Sequence, residues 1–200
     1  SETTTVTGIA PGTSATVRWS VSNGGCLPTF EDIILTNTAA APAAAAGGDQ
    51  SLCNTTTFTL AGNAAAPGTG AWVIQSGPGT VTTPASATST VTGVTAGAAP
   101  TVVRWTITNG VCASTFDEVT LINLQPSSTA DAGVNLTQCN TSTFTMSATV
   151  PAIGVGTWSL QSGTATITNT ASETTTVTGI APGTSATVRW SVSNGGCLPT

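Results

Sequence analysis

The chain has 200 residues, a net charge of −5 and a pI near 4.1; only 6% of its residues are charged, against about 25% in an average soluble domain. It has no His and no Lys, so it lacks an ordinary general base near neutral pH and any Ser–His or Cys–His pair, and an enzyme is not expected. Its only basic residues are Arg18, Arg104 and Arg189, too few for nucleic acid, and no apolar run approaches the roughly 18–20 residues of a membrane span, so membrane insertion is not expected in these residues either.

The opening 29 residues, SETTTVTGIAPGTSATVRWSVSNGGCLPT, recur unchanged at 172–200, an offset of 171. A looser copy lies inside that offset. Trp19 maps to Trp105 and then Trp190, Cys26 to Cys112 and then Cys197, Trp72 to Trp158, and Cys53 to Cys139, each at a step of 86 or 85. A fixed period of this kind marks a tandem array, here with a unit of about 86 residues in two alternating subtypes. Residues 1–37 read as the C-terminal part of one repeat, 44–123 as a complete repeat, and 130–200 as a repeat lacking its last strand. Thr38–Ala43 and Leu124–Thr129, rich in Ala, Pro and Ser, read as short linkers that limit bending.

Within the complete repeat, short alternating runs are separated by Gly, Pro and Asn turns, the all-β pattern. Strands are predicted near Gly48–Leu52, at Thr57–Ala61, Ala71–Gln75, Thr80–Thr83, Ser89–Gly93, Val102–Thr108 and Asp117–Ile122. Asn109-Gly110 is a hairpin signal. Seven short strands in about 80 residues predict an immunoglobulin-like antiparallel β-sandwich. Two tryptophans per repeat supply its core: Trp72 and Trp105 in the complete repeat, Trp158 and Trp190 in the next, and Trp19 in the first. Phe116 is out of phase with Val119 and Leu121, unless a bulge turns it inward.

Each repeat has two cysteines at fixed places, which favours disulfides in an oxidising compartment. Zinc is not expected, as there is no Cys-x-x-Cys and no His. Cys53 follows the first strand and Cys112 the final hairpin turn, and in a sandwich these lie at opposite poles, roughly 17–20 Å apart. A disulfide needs Cα atoms within about 7 Å. The first-strand turn of one repeat does face the final hairpin of the next. Cys53–Cys197, a staple between repeats, is therefore the favoured pairing and Cys53–Cys112 the alternative. The same rule places the partners of Cys26, Cys112 and Cys139 outside these residues. Arg104 is expected to pair across strands with Asp117 or Glu118. No cofactor is expected; Ca²⁺ between repeats is a minor alternative, since no Asp-x-Asp-x-Asp run is present.

The runs Asp49-Gln-Ser-Leu-Cys53, Trp72-Val-Ile-Gln-Ser-Gly-Pro78, Thr90-Val-Thr-Gly93 and Arg104-Trp-Thr-Ile-Thr-Asn-Gly110 with Cys112 resemble the PKD-like repeats of giant type IX-secreted surface adhesins of Bacteroidota. The resemblance covers essentially the whole chain. It implies an extracellular, fibrous, many-domain protein that grips a surface or carries an adhesive tip, in attachment or gliding. The expected role is a structural shaft segment whose partners are neighbouring repeats of the same chain. The alternatives are a carbohydrate- or protein-binding module and a subunit of a self-assembling filament.

Overall fold

The computed structural model describes residues 3–200, and all their regular structure is β. The first two strands are β1 (Thr13–Val21) and β2 (Thr29–Asn37). Seven follow in the complete repeat: β3 (Gln50–Cys53), β4 (Thr57–Thr59), β5 (Thr69–Ser76), β6 (Thr80–Val81), β7 (Thr90–Thr92), β8 (Thr101–Thr108) and β9 (Thr115–Leu124). The last five are β10 (Phe144–Ser147), β11 (Val155–Ser162), β12 (Thr166–Ile167), β13 (Thr174–Thr178) and β14 (Thr187–Ser193). All seven strands predicted for the complete repeat are present, with shifted ends. The chain divides into two compact units whose boundaries fall inside the 86-residue period. Unit 1 is Ser1–Asp49, Phe58–Thr92 and Thr101–Thr120; unit 2 is Gln50–Thr57, Gly93–Pro100 and Leu121–Thr200.

In unit 1, β5 pairs antiparallel with β8, which neighbours β9, while β4, β7 and β6 form a second sheet. Alternation along β8 is strict: Val103, Trp105 and Ile107 are buried, and they join Phe58, Leu60, Trp72, Val91 and Val119 in the core. Trp72 and Trp105 face each other in register, with ring centroids 4.9 Å apart. The Trp72 indole N–H donates to the Ser86 carbonyl at 3.0 Å and that of Trp105 to Asn63 Oδ1 at 3.2 Å. The Trp105 ring lies against Gly70, where any Cβ would overlap it.

The β1–β2 hairpin pairs in nine registers from Thr13↔Asn37 to Val21↔Thr29. Trp19 does not lie in a core, contrary to expectation; it is 57% exposed. Opposite it stands Glu31, and residues 3–200 hold no counterpart of Trp72 to cover it. Phe30, Ile33 and Ile34 are exposed with it.

In unit 2, β3 runs parallel to the end of β9, Gln50 against Leu121 through Cys53 against Leu124. This departs from the all-antiparallel expectation: the first strand crosses to join the last, and a parallel pair needs such a crossover. A second sheet has the order β10-β13-β12, and β11 pairs antiparallel with β14. Trp158 and Trp190 repeat the stacked pair at 5.1 Å and pack with Ala148 and Val192, while Gly156 takes the place of Gly70 under the Trp190 ring.

Candidate functional site at the repeat junctions

Apart from Leu124, which ends β9, the two linkers carry no regular structure, but neither is loose. Each is strapped to the hairpin loop of the repeat that follows, through the same contacts. In unit 1 the Asn109 side-chain amide donates to the Ala39 carbonyl at 2.8 Å, and Thr115 Oγ1 donates to the Pro42 carbonyl at 2.6 Å. In unit 2 their counterparts do the same: Asn194 donates to the Gln125 carbonyl at 2.7 Å and Thr200 Oγ1 to the Ser128 carbonyl at 2.6 Å. The turn glycines fit the linker against the loop. Gly110 and Gly195 both have φ of +55°, and a Cβ would meet Thr38 Cγ2 at 3.2 Å in one and Leu124 Cδ1 at 2.9 Å in the other. Glycine is required twice over there, by backbone conformation and by close approach.

The cysteine of each hairpin sits against the same carbonyl. The Cys112 thiol lies 3.2 Å from the Ala39 oxygen and 3.4 Å from that of Thr38, and Cys197 Sγ lies 3.3 Å from the Gln125 oxygen. Cys197 is bonded to Cys53, with a Cα–Cα distance of 5.0 Å and a sequence separation of 144. The bond therefore joins the first strand of the complete repeat to the final hairpin of the next. Cys112 is not joined to Cys53; it is free, as are the exposed Cys26 and Cys139.

At the end of β9 stands a side chain that sequence reasoning missed. Asn123, 4% exposed, accepts from the Thr55 N–H at 3.0 Å and donates to the carbonyls of Thr55 at 2.9 Å and Val94 at 2.6 Å. One amide thus ties three segments at the end of β9. Asn37 is its counterpart and donates to the Ile9 carbonyl at 2.7 Å. The available signal was an Asn recurring 86 residues apart at the end of the last strand. Likewise, Asn109 was read only as a turn residue, and its clamp on the linker was not foreseen.

The charged residues serve the same local fastening. Arg104 pairs with Glu118 at 2.7 Å and not with Asp117, because the Asp117 carboxylate accepts the Ala46 N–H at 2.8 Å. Arg104 also lies over the exposed Phe116 ring, 4.2 Å from its centroid, so Phe116 is not turned inward. Arg18 repeats both contacts, with Asp32 at 2.8 Å and Phe30 at 4.0 Å. Asp49 accepts the Thr120 N–H at 2.7 Å and Asp131 that of Gly133 at 2.9 Å. Among the described residues no three His, Cys, Asp or Glu converge as a metal site.

No protein-family model matches this chain, and no curated protein does. Solved structures do. Immunoglobulin domains 1–4 of Sidekick-1 align with a TM-score of 0.53 at 16% identity, over 85% of this chain and 53% of that one. Titin domains I67–I69 align at 0.47 and 8% identity, over 94% and 72%. The insect immune protein hemolin aligns at 0.39 and 11%, over 90% and 52%. The chain thus spans about half the length of the Sidekick-1 fragment. Together with the all-β sheets, the Sidekick-1 alignment establishes an immunoglobulin-like β-sandwich fold.

Proposed function

We infer that the chain is a load-bearing shaft segment of a long extracellular surface adhesin. It carries one complete immunoglobulin-like repeat (44–123), the C-terminal part of another (1–37), and a third without its last strand (130–200). The observation that carries this reading is the Cys53–Cys197 bond. Both cysteines lie in compact unit 2, so the bond ties the first strand of the complete repeat into the unit built by the next one. In a filament under tension such a bond carries load covalently past the linker between repeats. A disulfide also suits an oxidising, extracellular compartment. Near-absence of Lys and Arg removes trypsin cleavage sites, which suits a surface rod. The resemblance to type IX-secreted Bacteroidota adhesins supports attachment or gliding as the setting. The test is labelling of intact cells that express the protein, with antibodies raised against this chain. Surface label along filaments, with attachment reduced by the antibody, is the expected outcome; label only after permeabilisation contradicts it.

A further inference from the structure

The chain has three Asn-Gly pairs, at 23–24, 109–110 and 194–195, all at the tip of the same hairpin of the repeat. At 109–110 and 194–195 the fold demands both members. Glycine is needed for its φ of +55° and for the close approach of Thr38 to Gly110 and of Leu124 to Gly195. Asparagine is needed because its amide holds the linker, Asn109 on the Ala39 carbonyl at 2.8 Å and Asn194 on that of Gln125 at 2.7 Å. Asn is a thermolabile residue, and Asn-Gly is its most labile setting, since glycine has no side chain to hinder attack by its nitrogen. The Gly110 and Gly195 N–H groups donate to nothing among the described residues. Both glycines are exposed and both asparagines half-buried, so water and base reach the turn.

We propose that Asn109 and Asn194 are sites of spontaneous deamidation, gated by the linker that each one holds. The deprotonated Gly110 nitrogen attacks Asn109 Cγ, the bond from Cγ to Nδ2 breaks, and ammonia leaves. Water then opens the five-membered imide on either side, giving Asp or isoaspartate. One water is consumed and one ammonia released, with no oxidant or cofactor. The side-chain amide must leave its acceptor for this to occur. The strapped state is therefore protected, and release of the linker starts the chemistry. The product cannot be strapped again. A carboxylate is acceptor-only and meets the Ala39 carbonyl oxygen against oxygen. Isoaspartate also adds a methylene to a turn where Gly110 already fits closely against Thr38. A junction that has opened is thus marked covalently and stays loosened. The proposal stands on the strap geometry and not on the shaft reading.

The test is peptide mapping by mass spectrometry after incubation of the 200-residue chain at mildly alkaline pH, beside a synthetic peptide of residues 107–114. Two variants accompany it. Thr115→Val removes the second bond between hairpin and linker, from Thr115 Oγ1 to the Pro42 carbonyl at 2.6 Å, and loosens only the unit 1 strap. Asn109→Asp carries the product. In the folded chain Asn109 is expected to convert at least about fivefold more slowly than in the peptide, the factor that one hydrogen bond of ordinary net strength supports. Thr115→Val is expected to speed Asn109 while Asn194 keeps its rate, and unaltered tryptophan fluorescence shows that the sandwich is intact. In Asn109→Asp the Ala44 N–H, which donates to Thr115 Oγ1 at 3.0 Å, is expected to exchange with deuterium faster than in the unaltered chain. Conversion of Asn109 in the folded chain at the peptide's rate overturns the proposal, as does an Asn109 rate that Thr115→Val leaves unchanged. Unaltered exchange at Ala44 in Asn109→Asp overturns it too.

Discussion

At Gly70 and Gly156 the space of a side chain is filled by the indole of Trp105 or Trp190. Protein interiors are close-packed, so an added methyl there must displace a buried ring. Gly156→Ala is expected to cost about 1–3 kcal/mol, the range for overpacking a core; urea denaturation checks it, and an unchanged midpoint contradicts it. The two Trp pairs are not equally satisfied. Trp105 donates to Asn63, but the buried Trp190 Nε1 has no partner, and Thr149 occupies the position that aligns with Asn63. Supplying an acceptor by Thr149→Asn is expected to gain about 1 kcal/mol. The readout is the thermal midpoint of the otherwise unaltered chain, which rises if the indole N–H is satisfied.

The ends of β2 and β9 are fastened by a polar side chain as well as by their ladders. Asn123 is the strongest case, since its loss leaves the Thr55 N–H and the Thr55 and Val94 carbonyls without a partner. Asn123→Ala is expected to destabilise by about 2–3 kcal/mol and to raise hydrogen exchange at Thr55 first; exchange unchanged there argues against the clamp. In the β1–β2 hairpin, the hydrogen bond from Arg18 holds the Asp32 carboxyl below the usual carboxylate range and raises the Arg18 value. A depressed folded value means the contribution is fully present above the ordinary Asp pKa and lost as pH falls through the folded one. NMR titration of Asp32 therefore shows a midpoint below the ordinary Asp value, and Arg18→Gln moves it up. The strand positions were legible because period-2 alternation and Gly, Pro and Asn breaks are local signals. The partner of β3 was not, because a parallel crossover pairs residues about 70 apart and leaves no mark in the local pattern. Trp19 misled for a related reason. Its spacing marks it as core, but burial depends on a covering strand that residues 3–200 do not supply.

For the whole molecule, the repeated strap between linker and hairpin was hidden in residues with an ordinary local meaning: Asn-Gly as a turn, Thr as strand composition. The cysteines were legible because pole geometry limits which Cα atoms can approach. In the chain-entropy picture, a bond closing a separation of 144 stabilises the connected segments by about 5 kcal/mol. Its mechanical consequence is larger. Tension entering before Cys53 and leaving after Cys197 passes through the sulfurs, and everything between is shielded. Stretching single chains held at their two ends, oxidised and then reduced, measures this directly. Reduction is predicted to add about 500 Å of unfolded length, from 144 residues at roughly 3.3–3.6 Å each. A gain of about 200 Å, the value for a Cys53–Cys112 bond at the same rise per residue, or no gain at all, would contradict the staple between repeats.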